Sequence, residues 1–187
     1  CGNKNYHDIP VPTEDDMMRI TNSIYPDTCK NNYNKKMNFE MNFSKKLPKC
    51  VFRGSATGCG IDIDTNMRLK AAYLSEKHPE LIDAKLSAWN NKPKVNDKTF
   101  QSINPNNDKD FEYKAPQNII LKAGKFNFMN LEEQSKHKYI LNIDGHVKAF
   151  RLGNELRMGS VILLVDSPYR LWFQDKLEEY KHYVPIK

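Results

Sequence analysis

Lys138-Tyr139-Ile140-Leu141-Asn142-Ile143-Asp144-Gly145 and, downstream, Ser160-Val161-Ile162-Leu163-Leu164-Val165 decide the fold of this chain. Both are short apolar runs rich in β-branched residues. The second is apolar at consecutive positions, as a strand is when both of its faces are covered in a parallel sheet. Asp144-Gly145 breaks the first run, a helix is predicted from about Val147 to Met158, and Gly159 supplies its stop. The segment 138–165 therefore predicts a β-α-β unit. Upstream, Lys49-Cys50-Val51-Phe52-Arg53 reads as a strand and Gly54-Ser55-Ala56-Thr57-Gly58-Cys59-Gly60 as a Gly-rich turn. Asp64 is expected to cap a helix from about Thr65 to Lys77, which must end before Pro79. Leu81 to Leu86 is a further strand. Thr13 with Asp16, and Asn130 with Glu133, have capping-box spacing. Ser167-Pro168 predicts another helix start, and His182 to Ile186 is strand-like. This alternation predicts a single α/β domain over 1–187, a Rossmann-like three-layer parallel sheet. The Asn/Lys-rich stretches at about 27–48 and 90–118 read as loops; the second, with Pro93, Pro105 and Pro116, reads as an insertion.

The chain has 187 residues, enough to bury one sizeable core. Only 8 Gly exclude a collagen, and no apolar stretch approaches the ~20 residues that cross a bilayer. Cys1-Gly2-Asn3-Lys4-Asn5 has neither an apolar signal core nor an initiator Met, so a processed form or an excised domain is expected. The 4 cysteines, at 1, 29, 50 and 59, form no C-x-x-C pair and are too few for a disulfide scaffold, so no metal site is expected; Cys50 suits a buried thiol. Lys+Arg number 29 against 23 Asp+Glu, a net charge of +6. That charge is dispersed through Asn-rich loops, which favours a solvated surface over a nucleic-acid stripe, so no nucleic-acid partner is expected. The sequon Asn42-Phe43-Ser44 matters only in a secretory lumen. The Asn/Lys bias is compatible with an AT-rich viral or protist genome; the compartment stays open.

Ligands of such sheets bind beyond the carboxyl ends of the strands. Two segments sit there. Phe52-Arg53-Gly54-Ser55-Ala56-Thr57-Gly58 offers two hydroxyls and backbone N–H groups that can wrap a phosphate. It is neither G-x-G-x-x-G nor a P-loop, and an ordinary strand-to-helix loop is an equal reading. Asp144-Gly145-His146-Val147-Lys148-Ala149-Phe150-Arg151 places a guanidinium at the start of the predicted helix, suited to a diphosphate. Pairing of Arg151 with Glu155, four residues on, is the alternative. Asp83 suits a ribose or base contact, or a solvated turn. Trp89 reads as core before base stacking. His137, His146 and His182 lack a nucleophile partner at interpretable spacing and read as structural, and Glu133 is explained as a cap.

Phe52 to Gly58, His78-Pro79-Glu80-Leu81-Ile82-Asp83-Ala84, Lys138 to Gly145, Ala149-Phe150-Arg151-Leu152, Met158-Gly159-Ser160-Val161 and His182-Tyr183-Val184-Pro185-Ile186 occur in that order. The series, with Asp8-Ile9-Pro10-Val11-Pro12 ahead of it, resembles glycosyltransferase family 90, which includes the Rumi-type protein O-glucosyltransferases and the capsule-associated xylosyltransferases. The resemblance implies a GT-B architecture, of which this chain is the C-terminal, donor-binding half. It implies inverting, metal-independent transfer of glucose or xylose from UDP-glucose or UDP-xylose to a hydroxyl of a protein or glycan acceptor. No cofactor is implied beyond the UDP-sugar donor. The donor set it implies is Arg53, Gly54, Ser55, Thr57, Asp83, Gly145, Phe150 and Arg151, with Arg151 on the diphosphate. Ala56 stands where Rumi-type members carry a basic residue. The family's catalytic Asp belongs to the acceptor-side half and has no counterpart in this chain. No catalytic residue is therefore assigned, and an isolated chain is expected to need a separate acceptor-binding domain. A scaffold domain that retains the fold without the chemistry is the alternative. The compartment implied is the secretory lumen for cellular members, and host cytoplasm or virion for a viral one.

Overall fold

In a computed structural model, residues 2–3, 9–13, 16–17, 39, 41–89, 94–95, 113–114 and 127–187 are described. Two sets of parallel strands are present: β2 Leu47–Gly54 beside β3 Ile82–Leu86, and β6 His137–Asn142, β7 Val161–Val165 and β9 Val184–Ile186 in the order β6-β7-β9. The pairs β2/β3, β6/β7 and β7/β9 are all parallel. The chain is thus a mixed α/β protein with parallel strands, consistent with the Rossmann-like reading. Two compact units are distinguished, Cys1–Pro48 with Asn130–Lys187, and Lys49–Met129.

In the first unit, β6 and β7 are in register from Tyr139↔Val161 to Asn142↔Leu164, and β7 continues to β9 through Leu163↔Val184. Ile140, Leu141, Ile162, Leu164 and Val165 from these strands are buried, as are Leu152, Met158 and Leu171. Pro185 lies on the edge strand β9, where a missing N–H is tolerated. Ahead of α2 (Leu131–Gln134) the expected capping box is present: Asn130 Oδ1 accepts from Glu133 N at 2.8 Å, and Asn130 N donates to Glu133 Oε2 at 3.1 Å. Thr13 and Asp16 form the same reciprocal pair, at 3.1 and 3.3 Å. Lys46 is buried, and its ammonium donates to the carbonyls of Ser135 (2.5 Å) and Met158 (2.6 Å) and to Ser160 Oγ (2.9 Å). Desolvation holds its pKa below the usual lysine value.

Several expectations are corrected in this unit. The helix expected from Val147 to Met158 is reduced to α3, Leu152–Glu155. Asp144 accepts from the Ala149 N–H at 3.1 Å and holds the 144–149 segment as a side-chain-capped turn, and Gly153 and Asn154 are poor helix formers. Gly159 does stop the segment, at φ +63°. No helix starts at Ser167-Pro168. Ser167 Oγ accepts from Tyr169 N at 2.9 Å, and the chain enters β8 (Tyr169–Arg170), antiparallel to β1 (Gly2–Asn3). A pairing so distant in sequence overrides the local Ser-Pro signal. A 3-10 turn follows at Gln174–Lys176.

In the second unit, β2 and β3 pair from Cys50↔Ile82 to Gly54↔Leu86, and α1 (Met67–Lys77) packs beside β3. The cap of α1 is Asn66, not Asp64: Asn66 Oδ1 accepts from Arg68 N (3.0 Å) and Leu69 N (3.2 Å). Asp62 instead closes the preceding turn, accepting from Thr65 N and Oγ1 at 2.9 and 2.7 Å. Leu69, Ala71 and Ala72 form the buried stripe of α1. Ser75 Oγ donates to Ile82 O (3.0 Å) and accepts from Ala84 N (2.9 Å), so the helix satisfies backbone groups on the outer side of an edge strand. Trp89 packs on Ala56, Leu69, Ala72 and Leu86, the core role expected of it. Cys50 is half-buried rather than fully buried as expected, and its partial burial pushes the thiol up to about 12. The first Asn/Lys-rich stretch lies largely outside the described residues. At its end Phe43–Lys45 is a 3-10 turn, and β2 starts at Leu47, ahead of the expected Lys49. The 90–118 stretch also lies largely outside them, apart from the antiparallel pair β4 (Lys94–Val95) and β5 (Tyr113–Lys114).

Candidate functional site

The segment after β2 is shaped by the side chains of Asn66 and Arg68. Asn66 Nδ2 donates to the carbonyls of Thr57 and Gly60, each at 3.3 Å, and so ties the turn to the start of α1. Arg68 donates through Nη1 to Ser55 O (2.9 Å) and Thr57 Oγ1 (2.6 Å), with its guanidinium carbon 5.7 Å from the centre of the Phe52 ring. Gly54 lets this arrangement close. A Cβ there would lie 2.8 Å from Phe52 Cζ and 3.3 Å from the Arg68 guanidinium. Gly58 and Gly60 take positive φ, 104° and 76°. The turn is thus fixed in shape by contacts from Asn66 and Arg68. Arg68 was not among the expected site residues. Nothing local marks it, since its partners lie on the preceding turn and strand.

Arg53 and Asp83, both in the expected donor set, are brought together. Arg53 Nη2 lies 2.8 Å from Asp83 Oδ2; Nη1 donates to the carbonyls of Phe52 (2.9 Å) and Asp83 (2.7 Å), and Nε donates to Asn127 Oδ1 (3.0 Å). Side-chain exposure is 3% for Arg53 and 24% for Asp83. Lys85 stands 3.8 Å from the other Asp83 oxygen. The alternative of a solvated turn residue does not describe Asp83: its carboxylate is the counter-charge of a buried guanidinium.

In the first unit, Asp144 is a node beyond the carboxyl end of β6. Its Oδ1 takes the Ala149 N–H and lies 3.6 Å from the buried Lys148 ammonium, and its Oδ2 accepts from Ser167 Oγ. Gly145 N donates to Val147 O at 3.0 Å, which tightens the turn further. Phe150 emerges half-exposed, and Arg151 follows at the head of α3. Arg151 Nε lies 2.8 Å from Glu155 Oε1, so the expected alternative pairing is present. Because α3 has only 4 residues, its dipole adds little to the guanidinium charge. His137 is buried with Nδ1 3.3 Å from Gln134 O, and His182 Nδ1 accepts from Glu178 N at 2.8 Å, as structural histidines do; His146 is exposed. Among the described residues no group of three His, Cys, Asp or Glu could hold a metal ion, and no helix is long and apolar enough to cross a membrane.

A family model for glycosyl transferase family 90 matches residues 1–187. The chain belongs to glycosyl transferase family 90. This family 90 chain is 38% identical over 228 aligned positions to protein 179R of Invertebrate iridescent virus 6, covering 100% of the chain and 18% of that protein. It is 27% identical over 191 positions to human Protein O-glucosyltransferase 3, with 100% and 31% covered. It is 26% identical over 145 positions to O-glucosyltransferase rumi of Drosophila melanogaster, with 78% and 28% covered. The chain therefore spans less than a third of the length of these relatives.

Proposed function

We propose that this family 90 chain is the donor-binding part of a glycosyltransferase. It takes a UDP-sugar, glucose or xylose being the expected sugar, and supports inverting transfer to a hydroxyl of a protein or glycan acceptor without a metal. Within a GT-B architecture it corresponds to the C-terminal half. The observation that carries the reading is the state of Arg151. Its side chain is 24% exposed against 3% for Arg53, and Nε is held by Glu155. Arg151 Nε and Nη2 are themselves buried, so Nη1 is the nitrogen proposed to reach the diphosphate, with which it would make a charge-assisted bond. Phe150, 41% exposed beside it, offers a ring face, and the tight turn at Gly145 carries both. Ser55 and Thr57 are proposed as hydroxyl contacts to the nucleotide and Gly54 as the close-approach position. Arg53 and Asp83, also of the expected donor set, are engaged with each other. The catalytic base is assigned to no residue of this chain.

The test is a calorimetric titration of UDP into the protein and its Arg151→Ala variant. The loss expected is about 1.5–3 kcal/mol, roughly 10- to 150-fold in Kd. Unchanged affinity would remove Arg151 from the diphosphate. UDP release from UDP-sugars by the full-length natural protein, abolished in Arg151→Ala, separates a transferase from a scaffold that retains only the fold.

A further inference from the structure

Glu155 is fully buried, with 0% of its side chain exposed, and sits in a helix of only 4 residues. Its Oε1 lies 2.8 Å from Arg151 Nε, and its Oε2 accepts from Asn142 Nδ2 at 2.6 Å. Asn142 is itself fully buried and is the last residue of β6. The three residues form a line from the sheet to the surface: strand end, carboxylate, guanidinium.

Stability alone is a poor account of this line. Burying a carboxylate costs several kcal/mol, and a buried ion pair replaced by well-packed apolar residues is often neutral or more stable. An arginine side chain, by contrast, loses much rotamer freedom when it engages a ligand, and fixing it beforehand removes that cost from binding. We propose that Glu155 and Asn142 are positioning residues that hold the Arg151 fork in its diphosphate-binding orientation. This rests on the donor-binding role proposed for Arg151. What matters is an oxygen held against Nε, 2.8 Å away, rather than the negative charge, since that charge opposes the phosphates it helps to bind. Glutamine can serve. Asn142 Oδ1 has no hydrogen-bond partner among the described residues, so a rotated Asn142 amide can accept from the glutamine NH2.

UDP titrations of the full chain compare E155L, E155Q, N142L and R151A. E155L is expected to weaken UDP about tenfold and N142L at least threefold, while E155Q stays within about threefold of the parent. E155L is expected to add nothing in the R151A background. Three results overturn the inference: parent affinity in E155L and N142L, equal losses in E155L and E155Q, or a loss from E155L that persists undiminished with R151A. The last would mark a purely structural role. Should E155L not fold, N142L alone and combined with R151A decides by the same criteria. Parent affinity in R151A itself would instead overturn the donor-binding reading, so the two failures are distinct.

Discussion

Asp83→Ala gives the sharpest test of how the second unit is built. The change leaves the Asp83 carbonyl, 2.7 Å from Arg53 Nη1, and removes the carboxylate 2.8 Å from Nη2. Losing one partner of a fully buried ion pair costs about 3–5 kcal/mol, because the other charge is stranded. Two features reduce that figure. Asp83 is 24% exposed, so water reaches the site, and Arg53 retains Asn127 and two carbonyls as acceptors. The expected loss is therefore about 2–3 kcal/mol. It should be read from urea unfolding as a lower midpoint at constant slope, the mark of a change in stability rather than in compactness. Arg53→Met and the double variant complete a cycle. Removing both charges should cost less than the sum of the single losses, with a coupling of at least about 1 kcal/mol. An Asp83→Ala loss below about 1 kcal/mol, or strictly additive single effects, would refute the account of Asp83 as the counter-charge of a buried arginine.

Gly60→Ala and Gly159→Ala should separate steric from conformational cost. Both glycines have positive φ, but a Cβ at Gly60 would lie 2.4 Å from Thr65 atoms, whereas one at Gly159 meets nothing within 4 Å. Gly159→Ala is expected to cost about 1–2 kcal/mol in urea unfolding and Gly60→Ala clearly more; equal losses would contradict the closeness of the 60–65 turn. For Cys50, a thiol pushed up to about 12 is deprotonated in roughly one molecule in ten thousand at pH 8. Iodoacetamide labelling of the Cys50 peptide, followed by mass spectrometry, should be about a thousandfold slower in the folded than in the denatured protein, and rates within tenfold would argue against a partly buried thiol.

What could be read from the sequence was local. The capping pairs Thr13–Asp16 and Asn130–Glu133 need only three-residue spacing, and both are formed. The strands read from apolar runs fall within a few residues of β2, β3, β6 and β7, because burial on both faces leaves a continuous signature. Glu155 could be named as a partner of Arg151 because helical spacing survives even in a single turn. What was missed depends on residues far apart. The Ser167-Pro168 signal yields to a strand pairing with Gly2–Asn3, and the Val147–Met158 helix yields to a carboxylate at 144 that captures the Ala149 N–H. Neither competitor has a pattern at helical or strand period. Arg68 is invisible for the same reason: an arginine in the first turn of a helix looks like any solvated one until the fold lays Ser55 O and Thr57 Oγ1 against it.

Arg53, Arg68 and Arg151 differ in their surroundings, which divide their work. Arg53 is spent on Asp83, Asn127 and backbone carbonyls inside the second unit, and a phosphate reaching it would have to displace bonds already made in a buried site. Arg68 is committed to the shape of the 55–57 turn, so its loss would change what that turn presents. Of the three, Arg151 is the one with a partly exposed side chain, its Nε lying 2.8 Å from Glu155 Oε1. A charge-assisted contact to an incoming anion is strong where the donor is already oriented and is not fully surrounded by competing acceptors. On that physical ground a single guanidinium at 151, rather than the arginine that shares the Gly-Ser turn, is where loss of diphosphate affinity should concentrate.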